Sequence, residues 1–105
     1  MKLRLHGNSI RLRLGQSDVA QLVSTGAVEE HTLLGGHTFT YRLQLAETTQ
    51  IAASLEGSAI VLSLPRETGL QWAQGPPIGI EHREQHCSQA GSRILIEKDF
   101  ACLVK

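Results

Sequence analysis

The chain has 105 residues, 41% of them hydrophobic, and ten Lys and Arg balance ten Asp and Glu for a formal net charge of zero. That length suits one domain around a single core, and the composition excludes a disordered chain. Neutrality argues against nucleic acid as the main partner, because such binders draw affinity from neutralising phosphates, and no stretch holds the roughly 20 apolar residues of a membrane span.

The chain opens Met-Lys-Leu-Arg-Leu-His, where charge interrupts every apolar pair. A signal peptide needs an unbroken apolar segment, so the expected location is the cytoplasm. There Cys87 and Cys102 stay as thiols and serve as small packing residues.

Leu3 and Leu5 alternate with Lys2, Arg4 and His6, and Ile10, Leu12 and Leu14 alternate with Arg11 and Arg13. Both runs read as half-buried strands, with Gly7-Asn8 as the hairpin turn between them. Ser17 is placed to cap a short helix through Val19, Leu22 and Val23 that stops at Gly26. A strand from Val28 to Leu33 follows, broken by Gly35-Gly36. From His37 onward Phe39, Tyr41, Leu43 and Leu45 form an inward row, and Ile51, Ala53 and Leu55 make one more strand. Glu56-Gly57-Ser58 turns the chain into Ile60, Leu62 and Leu64. Pro65 fits the first turn of a second helix, which runs to about Gln74 and ends at Gly75-Pro76-Pro77. Ile78 and Ile80 open a strand, Glu81 to Ser92 reads partly as loop, and Ile94 and Ile96 form a last strand that Phe100, Cys102 and Val104 extend.

The order strand, helix, strand, strand occurs twice at an offset of about fifty residues, which points to an internal pseudo-repeat with halves near 1–55 and 56–105. The expected fold is one α+β domain over residues 1–105. It has mostly antiparallel strands, in a sheet or partly closed barrel, and two short helices.

Three groups of residues bear on chemistry. His82, His86 and Cys87 are metal-type ligands, with Glu84, His31 or His37 to complete a set. On a strand, however, residues 82 and 86 stand about 13 Å apart, too far for one ion. The arginines Arg4, Arg11, Arg13 and Arg42 alternate against core residues and form a candidate anion-binding set. The competing reading is a solvated face on which Glu29, Glu30, Glu56 or Glu97 supplies cross-strand partners. Trp72 belongs to the second helix as a plug onto the sheet. No Gly-x-Ser-x-Gly elbow, dinucleotide fingerprint or Walker loop is present, and no cofactor is implied.

Three further segments carry a resemblance: Met1 to Arg4 running into Gly7-Asn8-Ser9-Ile10-Arg11-Leu12-Arg13-Leu14; Phe39-Thr40-Tyr41; and Arg93-Ile94-Leu95-Ile96-Glu97-Lys98-Asp99-Phe100-Ala101-Cys102-Leu103. Together these resemble a family of short bacterial proteins known as a domain of unknown function. The resemblance runs nearly end to end and implies a free-standing bacterial domain, with no catalytic or ligand residue attached. The expectation is a cytosolic, non-enzymatic binding or protein-interaction module that self-associates as a homo-oligomer or takes a protein partner through an open strand edge, with no nucleic acid and no membrane involved. The alternatives are a metal- or Cys/His-dependent enzyme centred on residues 82–87, or a small-anion binder using the strand arginines.

Overall fold

Alternation over residues 2–14 produces a two-stranded hairpin, β1 (Lys2–His6) and β2 (Ser9–Leu14), in which Leu3 faces Leu12 and Arg4 faces Arg11. The two-residue turn needs one positive φ and takes it at Gly7 (φ 56°), while Asn8 keeps a negative φ. This is the II′ pattern that matches strand twist. The computed structural model describes residues 1–75 and 93–98, and the backbone alone at 80–83. The expected strand start at Ile78, the segment Glu84–Ser92 and the extension through Phe100, Cys102 and Val104 lie outside the described residues.

Helix α1 (Gln16–Thr25) starts earlier than a Ser17 cap would have it. Gly15 is the N-cap, and its N–H donates to the Asp18 carboxylate at 2.9 Å, which also places a negative charge at the positive helix end. Gly26 closes the helix in the left-handed region (φ 88°), donating to the Leu22 carbonyl. β3 (Ala27–Leu34) and β4 (His37–Ala46) follow as a long hairpin. Then β5 (Ala52–Glu56) and β6 (Ala59–Pro65) form a second short hairpin. Helix α2 (Arg66–Gln74), β7 (Ile80–Arg83) and β8 (Arg93–Lys98) complete the described order.

The strands form two four-stranded sheets, sheet A in the order β1-β2-β8-β7 and sheet B in the order β3-β4-β6-β5. The α+β class stands, and the described pairings are mostly antiparallel. Each sheet, however, is joined at its centre by a parallel pair, β2 with β8 and β4 with β6. The architecture is therefore two mixed sheets, and they are not closed into a barrel. The reason lies in the helices: α1 carries the chain from sheet A to sheet B and α2 carries it back. Each sheet thus holds one hairpin from each half of the chain.

The halves correspond closely. Lys2–Arg13 and His6–Ser9 in the first hairpin match Ala52–Ser63 and Glu56–Ala59 in the second, at a constant offset of fifty residues. The Arg93 N–H donates to the Asn8 carbonyl at 2.8 Å, and the Thr40 N–H donates to the Ser58 carbonyl at 3.0 Å, so equivalent bonds open both parallel pairs. The repeating unit is strand, strand, helix, strand, strand; β5, which the sequence pattern assigned to the first half, begins the second.

The inner faces meet in one apolar cluster that includes the equivalent residues Leu12 and Leu62, Leu14 and Leu64, and Leu22 and Trp72. Fully burying each such leucine is worth about 1.5–3 kcal/mol. Trp72 plugs α2 onto the core, and the Lys98 ammonium lies 5.5 Å from its ring centroid while donating to the Gly75 carbonyl at 2.8 Å. A cation is thereby set against the negative end of α2, and burial lowers the Lys98 pKa from its ordinary value. The apolar row leading through β5 is only half used: Ile51, just before the strand, is buried, whereas Leu55, on this edge strand, is 72% exposed.

Candidate functional site

Residues opposite each other in a sheet share a face, so the registers define the outer surface of sheet A. One row is Lys2, Arg13 and Glu97; the next is Arg4, Arg11 and Leu95; the third is His6, Ser9 and Arg93. Five of the ten Lys and Arg of the chain, together with His6, lie on this surface. Among residues with described side chains, Glu97 is the one acid beside them.

Glu97 is shared. Arg11 Nε donates to Glu97 Oε1 at 3.1 Å. Arg13 Nε lies 2.8 Å from the same oxygen as an ion pair whose angle makes no hydrogen bond, leaving that buried nitrogen without an acceptor. Two guanidinium groups thus converge on one carboxylate. Arg4 sits directly opposite Arg11, where like charges a cross-strand distance apart repel, and it has no ion pair among the described residues. Arg4, Leu5, His6, Ser9 and Arg11 line an open concavity of about 510 Å³ at this end of the sheet. Arg4 and Arg11 place planar donor forks, of a geometry that matches carboxylates, on two hydrogen-bonded strands.

Arg42 does not join the other three arginines. It projects from the outer face of sheet B, donating through Nη1 to Glu29 Oε1 at 2.9 Å and through Nε to Gln44 Oε1 at 2.9 Å. His31 lies next to it, 3.5 Å from Glu29 and 2.9 Å from the Thr40 hydroxyl. On that face Arg42, Glu29 and His31 each meet a partner. Arg93 is the residue that sequence reasoning left out of the set. Its signal was parity, since it stands one position before Ile94 and therefore on the face opposite the core.

The histidine set is divided. His31 and His37 belong to sheet B and His82 to β7 of sheet A, opposite Ile94, while Glu84, His86 and Cys87 lie outside the described residues. Among the described residues no group of three His, Cys, Asp or Glu side chains is gathered as for a metal ion.

A second polar cluster joins β1 to sheet B. The Met1 α-ammonium lies 2.8 Å from Asp18 and 2.7 Å from Glu30, and the Tyr41 hydroxyl donates to the Met1 carbonyl at 3.3 Å. Burial by itself lowers the ammonium pKa, but the two carboxylates outweigh it and the net shift is upward. Burial, reinforced by Glu30, raises the Tyr41 pKa. These groups pair with one another and so anchor the first hairpin to α1 and sheet B.

Fold and site together define a small two-sheet α+β protein with charge concentrated on one sheet face. The chain belongs to DUF7009, a family of unknown function, whose model matches residues 1–105. No curated protein and no solved structure matches it. No helix among the described residues is long and apolar enough to cross a membrane.

Proposed function

We propose that this chain is a non-enzymatic interaction module that takes an acidic protein partner on the outer face of sheet A. One observation carries the reading. The two short hairpins have the same register, yet Lys2, Arg4, His6, Arg11 and Arg13 in one stand where Ala52, Ser54, Glu56, Val61 and Ser63 stand in the other. The strand geometry does not require cations, because its counterpart is built without them. Placing Arg4 against Arg11 costs stability that the strand pairing does not need to spend, so the juxtaposition speaks for use. The described part of the face carries no aromatic side chain on which bases would stack, which favours a protein partner over single-stranded nucleic acid.

The test exchanges one hairpin's residues for the other's. The triple variant Arg4→Ser/Arg11→Val/Arg13→Ser retains the fold, since those residues already occupy the equivalent strands. Poly-glutamate, titrated by fluorescence anisotropy, binds the parent chain at low salt, weakens as salt screens the contact, and binds the variant at least about tenfold more weakly. Equal binding by both proteins, or none to the parent, overturns the proposal.

Self-association is the other form an interaction module takes, and what favours it sits on the opposite sheet. The β5 edge is uncharged until Glu56, its last residue, and carries the exposed Leu55 just before it. Sedimentation equilibrium of the parent chain against Leu55→Lys decides this reading, a dimer lost in the variant supporting it and a monomer in both refuting it.

A further inference from the structure

We propose that the open edge of β1 takes up an extended partner segment in which acidic and apolar residues alternate, adding a fifth strand to sheet A. The inference rests on the reading that this face accepts an acidic partner, and it specifies the conformation of that partner.

β1 stands at the end of the order β1-β2-β8-β7, so one row of its N–H and C=O groups has no strand beside it among the described residues. Such an edge is a template for a further strand. The side chains of β1 then decide which strand fits. On the outer face it presents Lys2, Arg4 and His6, and on the inner face half-buried Leu3 and Leu5, which is 55% exposed. A strand added alongside has the same alternation, with every second side chain on the same face about 7 Å apart. Acidic residues at i, i+2 and i+4 would lie beside the cationic row, and apolar residues at i+1 and i+3 beside the leucines. Opposite charges facing across a pair attract, and the apolar row covers leucine surface now open to water.

The other edges with described side chains also expose apolar residues, Leu33 and Leu34 on β3 and Leu55 on β5, but neither sets them beside a row of Lys and Arg. β5 offers Ala52, Ser54 and Glu56 outward, and β3 offers Glu29 and His31. The charges on β1 also exclude the simplest wrong occupant. A second copy of β1 would set Lys and Arg against Lys and Arg, so the edge rejects itself while accepting a strand of opposite sign.

The experiment compares two labelled peptides of one composition: alternating Glu-Val over eight residues, and a block of four Glu followed by four Val. The alternating peptide is expected to bind at least about tenfold more tightly, and β1 amides should gain protection from hydrogen exchange in its presence. Two N-methylated versions sharpen the test, one methylated at every Glu and the other at every Val. Edge pairing predicts that one loses binding and the other keeps it, because alternate amides point to opposite sides of a strand. Equal affinity for block and alternating peptides, or equal tolerance of both methylation patterns, overturns strand addition while leaving the cationic face as a binding surface. Loss of all peptide binding, with poly-glutamate also inert, overturns both.

Discussion

The two sheets are built to one plan and finished differently. On sheet B, Arg42, Glu29, Gln44, His31 and Thr40 close into contacts among themselves. On sheet A, Arg11 and Arg13 share one carboxylate and Arg4 is left facing Arg11. The interior does not differ in this way: Leu12 and Leu14 are matched by Leu62 and Leu64, all at most 1% exposed. Packing demands the same residues of both hairpins because both bury the same face. The outer faces share no common core; Val61 is buried on one where Arg11 is partly exposed on the other, and the cationic row has no counterpart in packing.

The equivalence of the interiors is the easiest part to break. Leu14→Ala and Leu64→Ala each remove a fully buried side chain, and each should lower the unfolding free energy by about 2–5 kcal/mol in urea denaturation. Losses that agree within about 1 kcal/mol support a shared core, whereas one large and one negligible loss would break the correspondence at its centre.

A smaller effect separates the hairpins at their first residues. Met1 stands where the second hairpin has Ile51, and Asp18 stands where the second helix has Thr68. The first hairpin is thus held by charge where its counterpart is held by packing. The Met1 ammonium titrates above 8.0 in the folded protein, so its contribution is complete below that pH and is lost as pH rises through the folded value. Tyr41, also raised from its value of 10.0, acts in the same sense at higher pH. Stability should therefore fall on the alkaline side. Asp18→Asn should cost about 1 kcal/mol at neutral pH through the weakened helix start, and it should flatten the alkaline decline near the amine titration. Thermal unfolding of both proteins across pH 7 to about 10 reads the difference.

The smallest expected change in stability falls on Glu97. Its pairs with Arg11 and Arg13 are partly solvated, so Glu97→Gln should move unfolding by less than about 1 kcal/mol. The same substitution releases both guanidinium groups and should tighten poly-glutamate binding several-fold. A variant that is strongly destabilised, with unchanged binding, would show that the carboxylate holds the sheet together and does not restrain a binding face.

Much of this fold was legible in the sequence because period-two alternation is local. Leu3 and Leu5, Leu12 and Leu14, and Leu62 and Leu64 announce strands without reference to anything distant. The fifty-residue correspondence was visible in the same way, from Ile10-Arg11-Leu12 against Ile60-Val61-Leu62. Strand order was not legible. Nothing in Ser9–Leu14 says that its neighbour is Arg93–Lys98, and the sheet to which a hairpin belongs depends on where a crossover helix delivers the next strand. The site inherited that gap. Parity placed Arg4, Arg11, Arg13 and Arg42 on solvent faces, but only the pairing shows that Arg42 belongs to another sheet and that Arg93 takes its place. Neutral composition likewise concealed a charged surface, because a sum over the chain carries no geometry.

The interleaving of hairpins also fixes an order of completion during synthesis. Once Pro65 has been added to the growing chain, every strand of sheet B has been synthesised, because β3, β4, β5 and β6 span residues 27–65. Sheet A at that moment consists of β1 and β2 alone, and its central partner β8 is still untranslated. A nascent chain therefore holds a hairpin whose Leu3, Leu12 and Leu14 have only part of their final cover, while the ribosome reads the next thirty or so residues at roughly 5–20 per second. Among the described strands the cationic surface is the last to be completed, and until β8 arrives Arg11 and Arg13 have yet to meet Glu97.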